Sequence, residues 1–332
     1  MEDRSPRKYE FRAKASTTPL QSVAICKGIE HDALQHSGEN GPKHSRGACQ
    51  QATGHGNQAM NTFHERYGPW ALILGASEGL GEAFARATAG HGLHVALAAR
   101  RAEALSACAT RLENEYHVAT RTIPVDLGKV SCLETLQQAT EDLDLGLVVY
   151  NAAAGHIGPF VGQDLAAVEN MLAVNCRGPA LVAHHFSRRM IERGSGGIIL
   201  MSSGAALAGG PGNALYAAGK SFELILGEGL SRELKPHGVD VLSLIGPPID
   251  TPNFWKEDPN VEKMLGPPLP SAEVAQEALE QLGQCSSWVA GKAYRDGLAA
   301  LGTLPREQQI DAMEASVQAM YGPRSGSEPP KR

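Results

Sequence analysis

Short apolar runs alternate with longer amphipathic stretches along the chain from residue 70 onward. Strands are predicted at residues 70–74, 95–98, 119–125, 145–150, 198–201 and 239–244. The run at residues 70–74 is continuously apolar, as expected for a strand that is buried on both faces of a parallel sheet. Helices are predicted between the strands at residues 81–89, 102–116, 131–141 and 215–234, with long helices between residues 165 and 193. This alternation predicts an α/β fold with a doubly wound parallel sheet in a single domain.

The remainder of the pattern predicts a smaller set of elements after the sixth strand. Ser271 is expected to cap a helix that ends near residue 282, and a short strand is expected at residues 287–290. A final helix is predicted at residues 306–320. Before them, Phe254 and Trp255 lie in a proline-rich segment, where they would either face a ligand or pack in the ordinary way.

The two ends of the chain differ from this pattern. Residues 1–65 are rich in polar residues and lack sustained hydrophobic periodicity, which predicts a disordered extension. The domain is therefore expected to span residues 66–321, followed by a disordered tail at 322–332. Our hypothesis is that Met60 is the biological start.

Composition and charge exclude several classes of protein. A net charge of −6 without clustered basic residues argues against nucleic acid or an anionic membrane surface as a partner. No apolar run reaches the roughly 18 to 20 residues of a membrane span. Six cysteines are scattered without metal-ligand spacing, so we expect reduced thiols, no metal site and a cytoplasmic protein.

A glycine-rich segment follows the first predicted strand. Gly75, Gly79 and Gly81 lie at a strand-to-helix turn, where the lack of a Cβ lets backbone amides approach a pyrophosphate. This predicts dinucleotide binding in a Rossmann-type fold. The second strand ends at Arg100-Arg101 rather than at an acidic residue, which favours NADP(H), with NAD(H) as the other option. Alternatively, the arginines only begin a helix and face water.

Three further residues suggest proton transfer. Tyr216 and Lys220 are four residues apart in a predicted helix, so their side chains lie on one face. A tyrosine ordinarily ionises near pH 10, and a nearby fixed positive charge favours its phenolate. Ser203 follows the fifth predicted strand, at the sheet edge where such folds bind ligands. The alternative for the tyrosine and lysine is an ordinary solvated helix face.

The full set of motifs resembles the short-chain dehydrogenase/reductase family. The resemblance spans residues 70–252 and rests on Gly75-xxx-Gly79-x-Gly81, Asp126-Leu127, Asn151-Ala152, Asn175, Ser203, Tyr216 and Lys220, in this order.

The resemblance implies a role for each matching residue. Tyr216 would be the catalytic acid or base, and Lys220 would assist it and bind the nicotinamide ribose. Ser203 would hold the substrate carbonyl, and Asn175 would position a water molecule in the proton relay. The implied cofactor-binding residues are Gly75, Ser77, Gly79, Leu80, Gly81, Arg100, Asp126, Leu127, Asn151, Ala152, Tyr216, Lys220, Ile249 and Thr251.

Two segments depart from the family pattern. After the fourth strand, residues 150–153 read Tyr-Asn-Ala-Ala where the family usually has Asn-Asn-Ala-Gly. After the sixth strand, residues 246–248 read Gly-Pro-Pro where the family usually has Pro-Gly, and the two prolines lack amide donors. We therefore expect altered cofactor contacts near both segments.

The predicted function is that of an NADP(H)-dependent oxidoreductase that interconverts a ketone and a secondary alcohol. Its partner is a small-molecule carbonyl or alcohol substrate, and assembly as a homodimer or homotetramer is expected from the family. Two alternatives are a non-enzymatic NADP(H)-binding scaffold or sensor, and a dehydratase or epimerase on the same fold. The intact set of Asn175, Ser203, Tyr216 and Lys220 argues against the scaffold.

Overall fold

A parallel sheet forms the centre of the fold. A computed structural model of the chain describes residues 62–322. The strands are β1 (Trp70–Leu74), β2 (His94–Ala99), β3 (Thr120–Pro124), β4 (Leu145–Tyr150), β5 (Gly196–Ser203), β6 (Val239–Gly246), β7 (Ile249–Asp250), β8 (Leu269–Pro270) and β9 (Ser287–Val289). Seven of them pair in the order β3-β2-β1-β4-β5-β6-β9, and every pairing is parallel. The predicted doubly wound Rossmann-type sheet is confirmed.

Helices connect the strands and cover the sheet. They are α1 (Gly79–Gly90), α2 (Ala102–Tyr116), α3 (Cys132–Ala139), α4 (Leu165–Leu172), α5 (Gly178–Arg193), α6 (Ala214–Leu234), α7 (Pro252–Trp255), α8 (Ser271–Gln281), α9 (Lys292–Gly302) and α10 (Arg306–Tyr321). A five-residue π-helical turn, Ala173–Arg177, joins α4 to α5. The sheet order reverses between β1 and β4, so the segments that follow these two strands border the crevice where such sheets bind ligands.

The core is divided by the sheet. On β1, Ala71 and Ile73 belong to one buried cluster, whereas Leu72 and Leu74 belong to another. Successive side chains of a strand point to opposite faces, so the two clusters lie on the two sides of the sheet. The central strands are buried on both faces, which explains their unbroken apolar sequences.

Several predicted elements differ in detail from the observed ones. Ser271 is the first residue of α8 rather than its cap, because Pro270 precedes it and the Ser271 hydroxyl donates to the Asp250 carbonyl at 2.7 Å. The long helices predicted between residues 165 and 193 correspond to α4 and α5, which the π-helical turn joins. Helix α9 was not predicted, since its sequence contains two glycines and few apolar residues at regular spacing.

A buried carboxylate anchors the segment before β1. Residues 62–67 are helical, so regular structure is present ahead of the predicted domain boundary at residue 66. Arg66 Nε and the Tyr67 hydroxyl both donate to Asp240 Oδ2 at 2.7 Å, and the Asp240 side chain is 1% exposed. The predicted extension up to residue 61 and the tail from residue 323 lie outside the described residues.

Residues 62–322 lack two kinds of feature. None of their helices is long and apolar enough to cross a membrane. The same residues contain no group of three or more His, Cys, Asp or Glu side chains that could hold a metal ion.

Candidate active site

Tyr216 and Lys220 lie one turn apart on α6, as their spacing predicts. Lys220 Nζ is 5.9 Å from the centroid of the Tyr216 ring. The lysine is almost fully buried, and its ammonium donates to the Met201 carbonyl of β5 at 2.7 Å. The tyrosine is half-buried. The arrangement therefore places a buried cation beside a phenol that is still partly accessible.

Ser203 ends β5, directly beside the same helix. Its hydroxyl oxygen accepts a hydrogen bond from the Ala205 amide at 3.3 Å. The preceding residue, Ser202, donates to the Lys220 carbonyl at 2.7 Å, and Ser221 donates to the Ala206 carbonyl at 2.6 Å. Hydrogen bonds on both sides of Ser203 thus attach this part of β5 to α6.

Asn175 lies in the π-helical turn and is fully buried. Its side chain forms two hydrogen bonds with the backbone of Ala154: Nδ2 donates to the carbonyl at 2.7 Å, and Oδ1 accepts from the amide at 2.9 Å. It also packs on α6, because a Cβ added to Gly219 would lie 2.9 Å from the Asn175 Cβ. Asn175 therefore connects the segment after β4 to the helix that carries Tyr216 and Lys220.

Tyr150 stands at the end of β4, where the family usually has an asparagine, and it supports the π-helical turn. Its hydroxyl donates to the Val174 carbonyl at 2.7 Å, and burial raises the pKa of the tyrosine well above its ordinary value. The Gly178 amide donates five residues back to Ala173, in the π-helical pattern. The corresponding donor for Val174 would be Pro179, which has no amide hydrogen. Tyr150 thus satisfies a carbonyl that this pattern leaves without a backbone donor.

Glu223 completes the buried face of α6. Its Oε2 accepts from Lys220 Nζ at 2.7 Å, and the carboxylate is fully inaccessible to solvent. Burial raises the pKa of the Glu223 carboxyl to about 7, although the neighbouring ammonium acts in the opposite direction. Its second oxygen, Oε1, is buried and has no hydrogen-bond partner among the described residues.

The glycine-rich segment forms a tight turn between β1 and α1. Gly75 and Gly79 adopt positive φ angles of 85° and 58°, where other residues are strained. A Cβ on Gly81 would overlap the Gly75 carbonyl. Helix α1 has no side-chain cap, so its first amides remain available to an anion. Leu80 is a core residue, and only its backbone could contact a ligand.

The residues after β3 and β4 border this turn. Asn151 Nδ2 donates to the Gly75 carbonyl at 3.3 Å. A Cβ added to Gly75 would lie 2.9 Å from the Ala152 Cα, so the two backbones approach closely. After β3, Asp126 accepts from the Gly128 amide at 3.0 Å, while Leu127 is buried in the core. The structure therefore brings the predicted Asn151 and Ala152 to the glycine turn.

An arginine other than the one predicted contacts the glycine turn. Arg101 donates to Ser77 Oγ at 3.2 Å and pairs with Glu78 at 2.8 Å, an interaction that contributes to the lowered pKa of Glu78. Arg100 is exposed and remains a prediction. The end of β2 thus does present a cation to the turn, although through Arg101.

The segment after β6 also reaches the turn. Thr251 caps α7, accepting from the Phe254 amide at 3.1 Å. A Cβ on Gly79 would lie 3.1 Å from the Thr251 methyl group. Ile249 pairs with Leu269 in the two-stranded sheet of β7 and β8. These contacts place both predicted residues, Ile249 and Thr251, on a segment that meets the glycine turn.

A family model described as short chain dehydrogenase matches residues 69–262. The chain belongs to the short-chain dehydrogenase family. The predicted resemblance is confirmed, and the protein is therefore an oxidoreductase of this family. The match covers the sheet from β1 to β6, together with the glycine turn, Tyr216 and Lys220.

Curated and solved relatives agree with this assignment. A 7β-hydroxysteroid dehydrogenase of Clostridium sardiniense is 33% identical over 248 residues, which cover 75% of this chain and 95% of the relative. A structure solved in a study of 7β-hydroxysteroid dehydrogenase stereoselectivity is 31% identical with a TM-score of 0.71, covering 76% of this chain and 98% of its own. A short-chain dehydrogenase from Sphingobium yanoikuyae in complex with NADPH is 26% identical with a TM-score of 0.61, covering 73% and 98%.

Sequence reasoning missed three residues that belong to this site. Glu223 is three residues after Lys220, a helical spacing that predicts contact. Tyr150 was noted only as a departure, because the Val174 carbonyl that it satisfies cannot be located without the π-helical turn. Arg101 was named beside Arg100, but the direction of the two side chains depends on how the strand ends.

Proposed function

We propose that this chain uses NADP(H) to interconvert a secondary alcohol and a ketone of the hydroxysteroid class. The observation that carries the proposal is the buried Lys220 ammonium beside the Tyr216 phenol. The similarity to 7β-hydroxysteroid dehydrogenases, which spans nearly the full length of those relatives, supports the substrate class.

The glycine turn fits a dinucleotide. Its cradle contains positions where a Cβ would collide with neighbouring backbone, and the uncapped amino terminus of α1 suits a pyrophosphate. Arg101 at the edge of the turn would bind a ribose 2′-phosphate, which favours NADP(H) over NAD(H). The bound cofactor would supply or accept the hydride, and the protein would orient the reactants and handle the proton.

Tyr216 would be the group that moves this proton. In the reducing direction, its hydroxyl would donate to the substrate oxygen, and in the oxidising direction its phenolate would accept the alcohol proton. The Lys220 ammonium would stabilise the phenolate electrostatically. An ammonium has three N–H donors, and Met201 and Glu223 occupy two of them, which leaves one for the nicotinamide ribose.

Ser203 and Asn175 would act as supports. The Ser203 hydroxyl, at the carboxyl end of β5, would donate to the substrate oxygen and hold it near Tyr216. Both polar atoms of the Asn175 side chain form a hydrogen bond with Ala154. We therefore assign Asn175 to fixing the segment after β4, and also to positioning a relay water, for which one Nδ2 hydrogen and one Oδ1 lone pair remain unused.

The test is a parallel assay of NADPH and NADH with a 7-oxosteroid, and of the oxidised cofactors with the 7β-hydroxysteroid, following reduced-nicotinamide absorbance. We expect turnover with the NADP(H) pair and its loss in Tyr216→Phe, while NADPH binding persists. Tyr116→Phe, on the distant helix α2, is the matched control and should keep full activity. Undiminished turnover in Tyr216→Phe would contradict the assigned role. Product formation without net cofactor consumption would instead favour a dehydratase or epimerase.

We also propose that the chain forms a homo-oligomer through α4 and α6. These helices carry large apolar side chains that are exposed in the isolated chain: Leu165, Leu172, Phe222 and Ile225. Apolar faces of this kind commonly mark interfaces between subunits. Light scattering coupled to size exclusion should give a dimer or tetramer for the wild type and a smaller species for Ile225→Glu. An unchanged mass for that variant would contradict the proposed interface.

A further inference from the structure

A buried acidic side chain sits behind the proposed proton-transfer pair. Glu223 follows Lys220 by three residues and Tyr216 by seven, so all three lie along one face of α6. The Lys220 and Glu223 side chains are 2% and 0% exposed, and their charged atoms are 2.7 Å apart. The pair is therefore shielded from the solvent that weakens ion pairs on a protein surface.

Glu223 supplies a negative charge beside the buried Lys220 ammonium, but its carboxylate is only half satisfied. Lys220 also has a backbone partner in Met201, whereas Glu223 leaves Oε1 buried and without a partner among the described residues. Leaving a buried carboxylate oxygen unpaired is unfavourable. A residue retained at that cost, in contact with Lys220 and one turn beyond it, is placed to act on the function of the lysine.

We propose that Glu223 is a positioning residue that holds the Lys220 ammonium and sets how strongly its charge acts on Tyr216. The inference rests on the proposed function, in which Tyr216 moves the proton. An unopposed ammonium beside Tyr216 would favour its phenolate strongly. The Glu223 carboxylate partly cancels that charge, so the ammonium stabilises a negative charge on the Tyr216 oxygen less than an unpaired lysine would.

Other groups near Glu223 do not reproduce this effect. Titratable groups that interact electrostatically with it include Lys220 on α6, Tyr150 on β4 and Cys176 in the π-helical turn. Burial raises the pKa values of Tyr150 and Cys176, so both stay neutral near pH 7. From β6, the Ser243 hydroxyl donates to the backbone carbonyls of Glu223 at 3.2 Å and Leu224 at 3.0 Å, and not to the Glu223 carboxylate. Above its raised pKa of about 7, Glu223 is thus the counter-charge that contacts Lys220.

The test is an ultraviolet titration of the tyrosinate band without substrate. Each protein is titrated beside its Tyr216→Phe counterpart, and the difference isolates the ionisation of Tyr216. We expect Glu223→Gln to lower the titration midpoint of Tyr216 by about one pH unit, because the ammonium is then unopposed. Glu223→Asp retains the charge and should stay near the wild-type midpoint. Glu233→Gln makes the same charge change at an exposed position of α6 and should leave the midpoint unchanged.

Equal midpoints in the wild type and in a folded Glu223→Gln protein would overturn the inference. Near-ultraviolet circular dichroism establishes folding, and Glu223→Met is a second neutral variant that avoids burying an unpaired amide. A purely structural role for Glu223 would lower stability without moving the Tyr216 midpoint. The titration needs no turnover, so an inactive wild type would refute the proposed function while the midpoints still decide the role of Glu223.

Discussion

Removing one hydroxyl from β4 should weaken the π-helical turn that carries Asn175. The change is Tyr150→Phe, which deletes the donor to the Val174 carbonyl and keeps the ring in the core. A typical buried hydrogen bond contributes about 1 kcal/mol, and leaving its buried partner unsatisfied costs about 1–3 kcal/mol. Since Pro179 offers no replacement amide, we expect a loss near the middle of that range, about 2 kcal/mol.

Urea denaturation measures this loss directly. The midpoint should fall while the dependence of the unfolding free energy on urea concentration stays the same, because the exposed surface hardly changes. Activity should fall with it, since Asn175 follows Val174 in the chain and its Ala154 contacts depend on the geometry of the turn. Tyr116→Phe is the control, because that side chain is only partly buried and lies on α2.

The outcome that refutes this reasoning is specific. A Tyr150→Phe protein that loses under about 0.5 kcal/mol, with unchanged turnover, would mean that the Val174 carbonyl has another donor in solution. The hydrogen bond from the Tyr150 hydroxyl would then result from packing at the end of β4 and would not support the turn.

Three further changes test separate parts of the structure. Gly178→Ala should destabilise the fold by about 2 kcal/mol in thermal unfolding, because the new Cβ would overlap the Tyr150 hydroxyl. Adding Tyr150→Phe should recover part of that loss. If the losses of the two substitutions simply add in the double variant, the overlap is contradicted. Gly79→Ala forces a side chain into a positive φ and against Thr251, so NADPH affinity measured by fluorescence should fall about tenfold; unchanged affinity would exclude the turn from the cofactor site. Folding raises the pKa of the Glu223 carboxyl from 4.5 to about 7, so the folded protein binds this proton more tightly than the unfolded chain does. The resulting stabilisation is complete below pH 4.5 and is lost as the pH rises through 7. Glu223→Gln should remove up to about 3 kcal/mol of that pH dependence in denaturation curves from pH 4.5 to 8, and identical slopes would contradict the raised pKa.

The sheet could be predicted because its central strands are buried on both faces. In a chain with alternating helices, continuous apolar runs such as residues 145–150 are typical of strands in a parallel sheet, and β4 spans the same residues. The glycine turn and the Tyr216 helix follow from local spacing in the same way. Strand β5 is longer than predicted because Gly196 and Ser203 pair with β6 without contributing to an apolar run.

The remaining features depend on contacts between distant residues. The π-helical turn and the hydroxyl that satisfies it come from different elements, so neither is apparent from hydrophobic spacing. Glu223 resembles an ordinary polar position within α6 until the burial of Lys220 is known. The capping prediction for Ser271 failed for a related reason, because its hydroxyl binds Asp250 on a strand 21 residues earlier.

The anchor on Asp240 has a consequence for the order in which the protein folds during synthesis. Arg66 and Tyr67 are made early, yet the carboxylate that they bind lies 174 and 173 residues later in the chain. Chains generally begin to fold while still on the ribosome, from the amino terminus onward. We therefore expect the segment at residues 62–69 to wait undocked until β6 has emerged. Nascent chains arrested before residue 240 should be cleaved there by protease, whereas released chains should resist.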